Sequence, residues 1–106
     1  MGRESDFQGT VIEYLKGLIG NKGFVFPMDG NYIQGFPDIL ILYKNRWAAL
    51  ECKRSADEPY QPNQKHYIKQ INGLAFASVI YPEIKDEVLN DLQQALRLRG
   101  PRISKR

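Results

Sequence analysis

Gly35-Phe36-Pro37-Asp38-Ile39-Leu40-Ile41-Leu42-Tyr43-Lys44-Asn45-Arg46-Trp47-Ala48-Ala49-Leu50-Glu51-Cys52-Lys53 is the stretch on which the fold turns. Ile39 to Tyr43 is an unbroken apolar run, too short and too β-branched for a helix, so it predicts a buried strand. Lys44-Asn45-Arg46 predicts a turn into a second strand over Trp47 to Lys53. So short a connection implies an antiparallel hairpin. Side chains alternate along a strand, which puts Glu51 and Lys53 on one face and turns Cys52 the other way, into the core. Pairing through the turn brings Asp38 close to Glu51 on that face, slightly beyond the end of the pair.

Outward from the hairpin the pattern is regular. Phe7, Val11, Tyr14/Leu15 and Leu18 recur at helical spacing and predict a helix from about Asp6 to Gly20, with Glu13 near the edge of the apolar stripe. Phe24 to Phe26 reads as a short strand. Beyond a polar loop from Arg54 to Gln61, Pro62 predicts a helix start. That helix runs to Asn72-Gly73, with Gln64, Ile68 and Ile71 on one face and Lys65 and Lys69 on another. Ala75 to Tyr81 is a last strand. A third helix follows, about Ile84 to Leu98, with Val88, Leu92, Ala95 and Leu96 inward and a stop at Gly100-Pro101. The predicted order is α-β-β-β-α-β-α. The middle helix is a crossover, so the fourth strand should lie parallel to the third. This is an α/β fold, a mixed β-sheet flanked by helices, in one domain over residues 1–100 with a basic C-terminal tail at 101–106.

Two carboxylates held close repel, and burying them is costly unless a cation sits between them. Hard oxygen ligands suit Mg²⁺ or Mn²⁺, which keep waters and accept phosphate oxygens. Lys53, on the same face, can orient a water and stabilise charge developing at phosphorus. An acid-x-Lys triplet alone means little, since about one is expected by chance in this composition. Glu83-Ile84-Lys85 is such a triplet; it follows Pro82 at a helix start, where an acid complements the helix dipole. Glu51-Cys52-Lys53 differs by its context: a strand, with a Pro-Asp strand start upstream.

That combination resembles the PD-(D/E)xK nuclease superfamily, whose motif is met by Pro37-Asp38 and Glu51-Cys52-Lys53. Gly35-Phe36-Pro37-Asp38 looks like its Gly-x-Pro-Asp version. Gln64, just after Pro62, matches a glutamine of the virus-type replication and repair nuclease (VRR-NUC) family. A serine often precedes the Pro-x-x-Gln unit in that family; Gln61 stands there instead. The resemblance covers about Asp6 to Leu98 and implies a restriction-endonuclease-like core. It implies a metal site of Asp38, Glu51 and the Cys52 backbone carbonyl, with Glu13 matching an acid that many members add. Catalysis would fall to Asp38, Glu51, Lys53 and Gln64. For Gln64 two roles stay open, capping an orphan backbone amide or reaching a phosphate or metal-bound water. His66 reads as a solvated helix residue, and Trp47 as a packing residue that could also stack on a base.

Composition sets the outer limits. At 106 residues, 42% hydrophobic and 25% charged, the chain is neither disordered nor collagen-like, and no apolar run reaches membrane-span length. The start lacks a signal peptide's apolar stretch, and the lone Cys52 offers neither an internal disulfide nor a Cys-rich zinc site, which together predict a cytoplasmic protein. The net charge of +3 is uneven: the five basic residues Arg97, Arg99, Arg102, Lys105 and Arg106 face no acid after Asp91. Such a tail suggests contact with a polyanion, although a solvated end would read the same. Lys44, Arg46, Arg54, Lys65 and Lys69 are the further candidates for gripping DNA. No small-molecule cofactor is expected. The resemblance points to branched DNA, as in small Holliday-junction resolvases, and resolution by two symmetric nicks implies a homodimer. A nicking or flap-processing repair nuclease is the alternative among enzymes. A non-catalytic nucleic-acid-binding protein is the alternative outside them; the intact acids argue against it.

Overall fold

The computed structural model describes residues 4–28 and 33–98. Helix α1 spans Glu4–Ile19 and passes through a 3-10 turn, Gly20–Lys22, into strand β1, Gly23–Pro27. Strands β2 (Ile39–Tyr43) and β3 (Arg46–Cys52) follow, then helix α2 (Gln64–Asn72), strand β4 (Phe76–Ile80), a 3-10 turn at Pro82–Ile84 and helix α3 (Lys85–Leu96). The predicted order holds. One four-stranded sheet runs β1-β2-β3-β4, antiparallel across the first two pairs and parallel between β3 and β4.

The sheet buries both faces of β3. Ala48, Leu50 and Cys52 point into a large core made with Val11, Leu15 and Ile19 of α1 and Leu89, Leu92 and Leu96 of α3. Each large aliphatic side chain sealed there contributes about 1.5–3 kcal/mol. The odd-numbered residues face α2. Ala49 and Ala77, both small, make room for Ile71, and Trp47, Phe36, Tyr67 and Ile68 pack around them. Trp47 thus has the packing role. On the same face, α2 leaves the β1 side open, where the Phe24 and Phe26 rings lie 5.7 Å apart and 64% and 41% exposed.

Four local expectations are corrected. The turn between β2 and β3 uses Lys44 and Asn45 only, and Arg46 already pairs with Tyr43. Helix α2 starts at Gln64 rather than Pro62, because Asn63 stands at φ 71°, a left-handed geometry that cannot continue a helix. Helix α3 does not run to Leu98. Arg97 is left-handed (φ 58°), and the Arg97 and Leu98 amides turn back to the Gln94 and Gln93 carbonyls at 3.1 and 2.9 Å, closing the helix end. Arg97 therefore caps α3 instead of extending it. Ala95 is exposed, and Leu89 takes the inward place assigned to it. Arg99, Arg102, Lys105 and Arg106 lie outside the described residues. Among the described residues no helix is long and apolar enough to cross a membrane.

Candidate active site

Asp38 precedes β2 directly, and the last paired position of the hairpin is Ile39 with Leu50. One step further in that register sets Asp38 opposite Glu51. The Cys52 amide donates to Asp38 Oδ2 at 2.9 Å, which fixes the carboxylate at the sheet end, while the Cys52 side chain is sealed in the opposite core. The Met28 amide donates to the Asp38 carbonyl at 2.7 Å and anchors the same residue from β1's end.

Glu51 and Lys53 are 2% and 3% exposed, so the strand alternation delivers an acid and a cation into one nearly dry space. Gln64 joins them. Its Nε2 donates to Glu51 Oε2 at 2.6 Å, and its Oε1 accepts from Lys53 Nζ at 3.0 Å and from the Gln61 amide at 2.7 Å. The amide's donor end is thereby assigned to the carboxylate and its acceptor end to the ammonium. Lys53 Nζ also donates to the Pro59 carbonyl at 3.2 Å and sits 4.5 Å above the Tyr60 ring, which Lys65 Nζ shares at 5.0 Å. Two oxygens and a π face compensate a buried ammonium that would otherwise be costly.

Burial pushes the Asp38 carboxyl above its usual range. The Cys52 amide, a hydrogen bond with Glu51 and the Lys53 charge oppose the rise, and the nearby Glu58 charge adds to it. The half-buried Asp38 carboxyl and the buried Glu51 carboxylate thus share one end of the sheet, where like charges close together favour a cation or a proton between them.

The Gly35-Phe36-Pro37 segment explains how the two halves of the site find each other. Gly35 stands at φ 86° and presses on the turn before α2, so that a Cβ there would lie 2.5 Å from the Pro62 carbonyl oxygen and 2.7 Å from Asn63 Cβ. Only glycine fits both the backbone and the space. Phe36 meets the Tyr67 ring edge-on at 5.6 Å. The loop that carries Asp38 is therefore packed against the start of the helix that carries Gln64.

Of the residues singled out from sequence, Asp38, Glu51, Lys53 and Gln64 come together. Glu13 is exposed on α1, and among the described residues no three His, Cys, Asp or Glu side chains gather to hold a metal ion. The donor set still suits a hard divalent cation. Mg²⁺ is commonly held by one or two carboxylates and otherwise by water and phosphate. Glu83 is exposed in its 3-10 turn and His66 is exposed with its ring against Tyr67. Arg54 turns back to Glu58, its amide and Nε donating to Oε1 at 2.6 and 3.4 Å. Lys44, Lys65 and Lys69 are exposed and Arg46 is half-buried. Sequence reasoning missed Glu58, Tyr60 and the Gln61 amide. Only Arg54 with Glu58 left a trace, as opposite charges four positions apart.

No family model and no curated protein matches the chain. A solved structure described as a VRR_NUC domain protein is similar to it, with a TM-score of 0.64 and 19% identity over 92% of each chain. The chain has a VRR-NUC-like nuclease fold. The likeness is one of fold.

Proposed function

We propose that this protein is a metal-dependent, structure-selective endonuclease that hydrolyses phosphodiester bonds in branched DNA. The observation that carries the reading is the Glu51–Gln64–Lys53 network, buried beside Asp38. A purely structural role gives no reason to bury a carboxylate and a lysine, with a second carboxylate half-buried beside them, on a face that could have held apolar side chains.

Asp38 and Glu51 would hold Mg²⁺ or Mn²⁺, with the Cys52 backbone carbonyl; Glu13 is the candidate for a supporting acid. A bound cation supplies Lewis-acid polarisation of the phosphodiester and a more acidic water. The protein's own residues do the rest. The Lys53 ammonium stabilises negative charge developing on the phosphoryl oxygens and orients the attacking water. Gln64 fixes both Glu51 and Lys53, so neither must reorganise during reaction. Lys44, Arg46, Arg54, Lys65, Lys69, Arg97, Arg99, Arg102, Lys105 and Arg106 are the candidates for holding DNA, and a twofold homodimer would place two such sites for paired nicks.

Purified protein with Mg²⁺ or Mn²⁺ is offered a four-way junction, a flap, a nicked duplex and plain duplex side by side. Preferential junction cleavage is expected. Cleavage confined to flap or nicked DNA favours the repair-nuclease alternative, and binding without cleavage favours the non-catalytic one. Asp38→Ala and Glu51→Ala should abolish cleavage while DNA binding holds or tightens; wild-type turnover in either sinks the site.

A further inference from the structure

We infer that a cationic cleft at the far end of the sheet from the acid pair binds the phosphodiester backbone of nucleic acid. The inference rests on the nuclease reading for its biological sense, although its test does not depend on cleavage. The cleft encloses about 480 Å³ between the end of α1, the β2–β3 turn and the end of α3. Lys22, Lys44 and Arg97 line it, one from each of those places, and no acid does. Lys22 belongs to none of the stretches that the sequence marked for DNA.

Two features set this cluster apart from scattered surface lysines. Among the described residues the non-glycine positions with positive φ are Lys44 (55°), Asn63 (71°) and Arg97 (58°). Glycine or asparagine would serve the turn and the helix end with less strain, yet both cleft positions carry long cations. The second feature is the sequence that follows. Leu98 lines the cleft, and the next eight residues add Arg99, Arg102, Lys105 and Arg106 without an acid.

The ligand class follows from exposure. All three cations are exposed. A site for a small free anion would surround it with buried donors, whereas exposed cations spread over three elements suit the solvated phosphates of a polymer backbone. Asp38 and Lys44 lie at opposite ends of β2, six residues apart, or about 20 Å. At 3.4 Å per step the cleft would engage phosphates about six base pairs from the one being cut. It is an anchor for an arm and takes no part in the chemistry.

The test uses the full chain carrying Lys22→Gln, Lys44→Asn and Arg97→Asn. Asparagine is chosen because it tolerates positive φ, so charge is lost without disturbing the turn or the cap. Affinity for a labelled junction and a labelled duplex is measured in EDTA between 50 and 200 mM salt, alongside a Lys16→Gln/Lys85→Gln control. Each lost phosphate contact lowers the salt slope by about 0.9, so over this range the wild type should lose about forty-fold more affinity than the triple variant. A slope change per charge no greater than the control's overturns the proposal. So does calorimetric binding of inorganic tripolyphosphate in the cleft with an unaltered DNA slope, which would make it a small-anion site. A wild type that cleaves nothing while the triple variant loses its slope refutes the nuclease reading and leaves the cleft standing; cleavage with equal slopes does the reverse.

Discussion

Gln64 is one side chain with two opposed duties, and an amide alone can perform both. Its nitrogen end satisfies Glu51 and its oxygen end satisfies Lys53. Gln64→Leu keeps the bulk and removes both bonds, so denaturant unfolding should show a loss of about 1–3 kcal/mol. On the proposed mechanism Lys53→Ala should lower turnover by roughly two to four orders of magnitude yet leave metal affinity intact, because the lysine would act on charge and water rather than as a ligand. Unchanged turnover would reduce the buried triplet to an ion-pair strip. Asp38 gives a pH-dependent prediction. Its carboxyl is raised in the folded state, chiefly by burial, so ionised Asp38 destabilises the metal-free fold. That penalty is absent below the unfolded pKa and grows as pH rises through the folded one. Asp38→Asn should therefore have the higher Tm in EDTA at neutral pH, with the advantage vanishing toward acid pH. An advantage that grew toward acid pH would contradict the burial argument.

At the scale of elements, the decisive contact is between a loop and a helix start. Gly35 holds the Asp38 loop against Pro62 and Asn63. Gly35→Ala should cost about 1–3 kcal/mol through the strained backbone and the blocked space. It should also depress cleavage further than its stability loss explains, since Asp38 and Gln64 lose their common support. Gly17→Ala is the counterpart. Gly17 lies within α1 with nothing within 4 Å of an added Cβ, so alanine there should stabilise by about 0.5–1 kcal/mol. Thermal unfolding of the two variants should move in opposite directions; a parallel shift would mean that Gly35 is an ordinary loop glycine.

At the scale of the molecule, charge is separated from chemistry. The acids cluster at one end of β2, and Lys22, Lys44 and Arg97 lie at the other. Deleting residues 101–106 removes Arg102, Lys105 and Arg106 and should weaken junction binding, flattening its salt dependence by up to three phosphate contacts per chain. Cleavage at saturating protein should survive the deletion. An identical salt slope would mean a solvated end. Sedimentation of the protein alone and with a four-way junction should give a dimer; a monomer that still cleaves would favour the nicking alternative.

The sequence by itself determined the hairpin and the faces of its residues. The period of two along Trp47 to Lys53 was enough to put Glu51 and Lys53 together and Cys52 in the core, because strand alternation is a local property. The parallel fourth strand was likewise legible from a crossover helix of the right length. Local pattern could not decide where α3 stopped, since nothing in Leu96-Arg97-Leu98 announces a left-handed cap on an arginine. Nor could it show that Gln64 bridges Glu51 and Lys53, that Gly35 leans on Pro62, or that Glu58 and Tyr60 flank the site. Each of those depends on the loop from Arg54 to Asn63 folding back over the end of the sheet. Such contacts join segments with no shared period, and only the packed tertiary structure decides them.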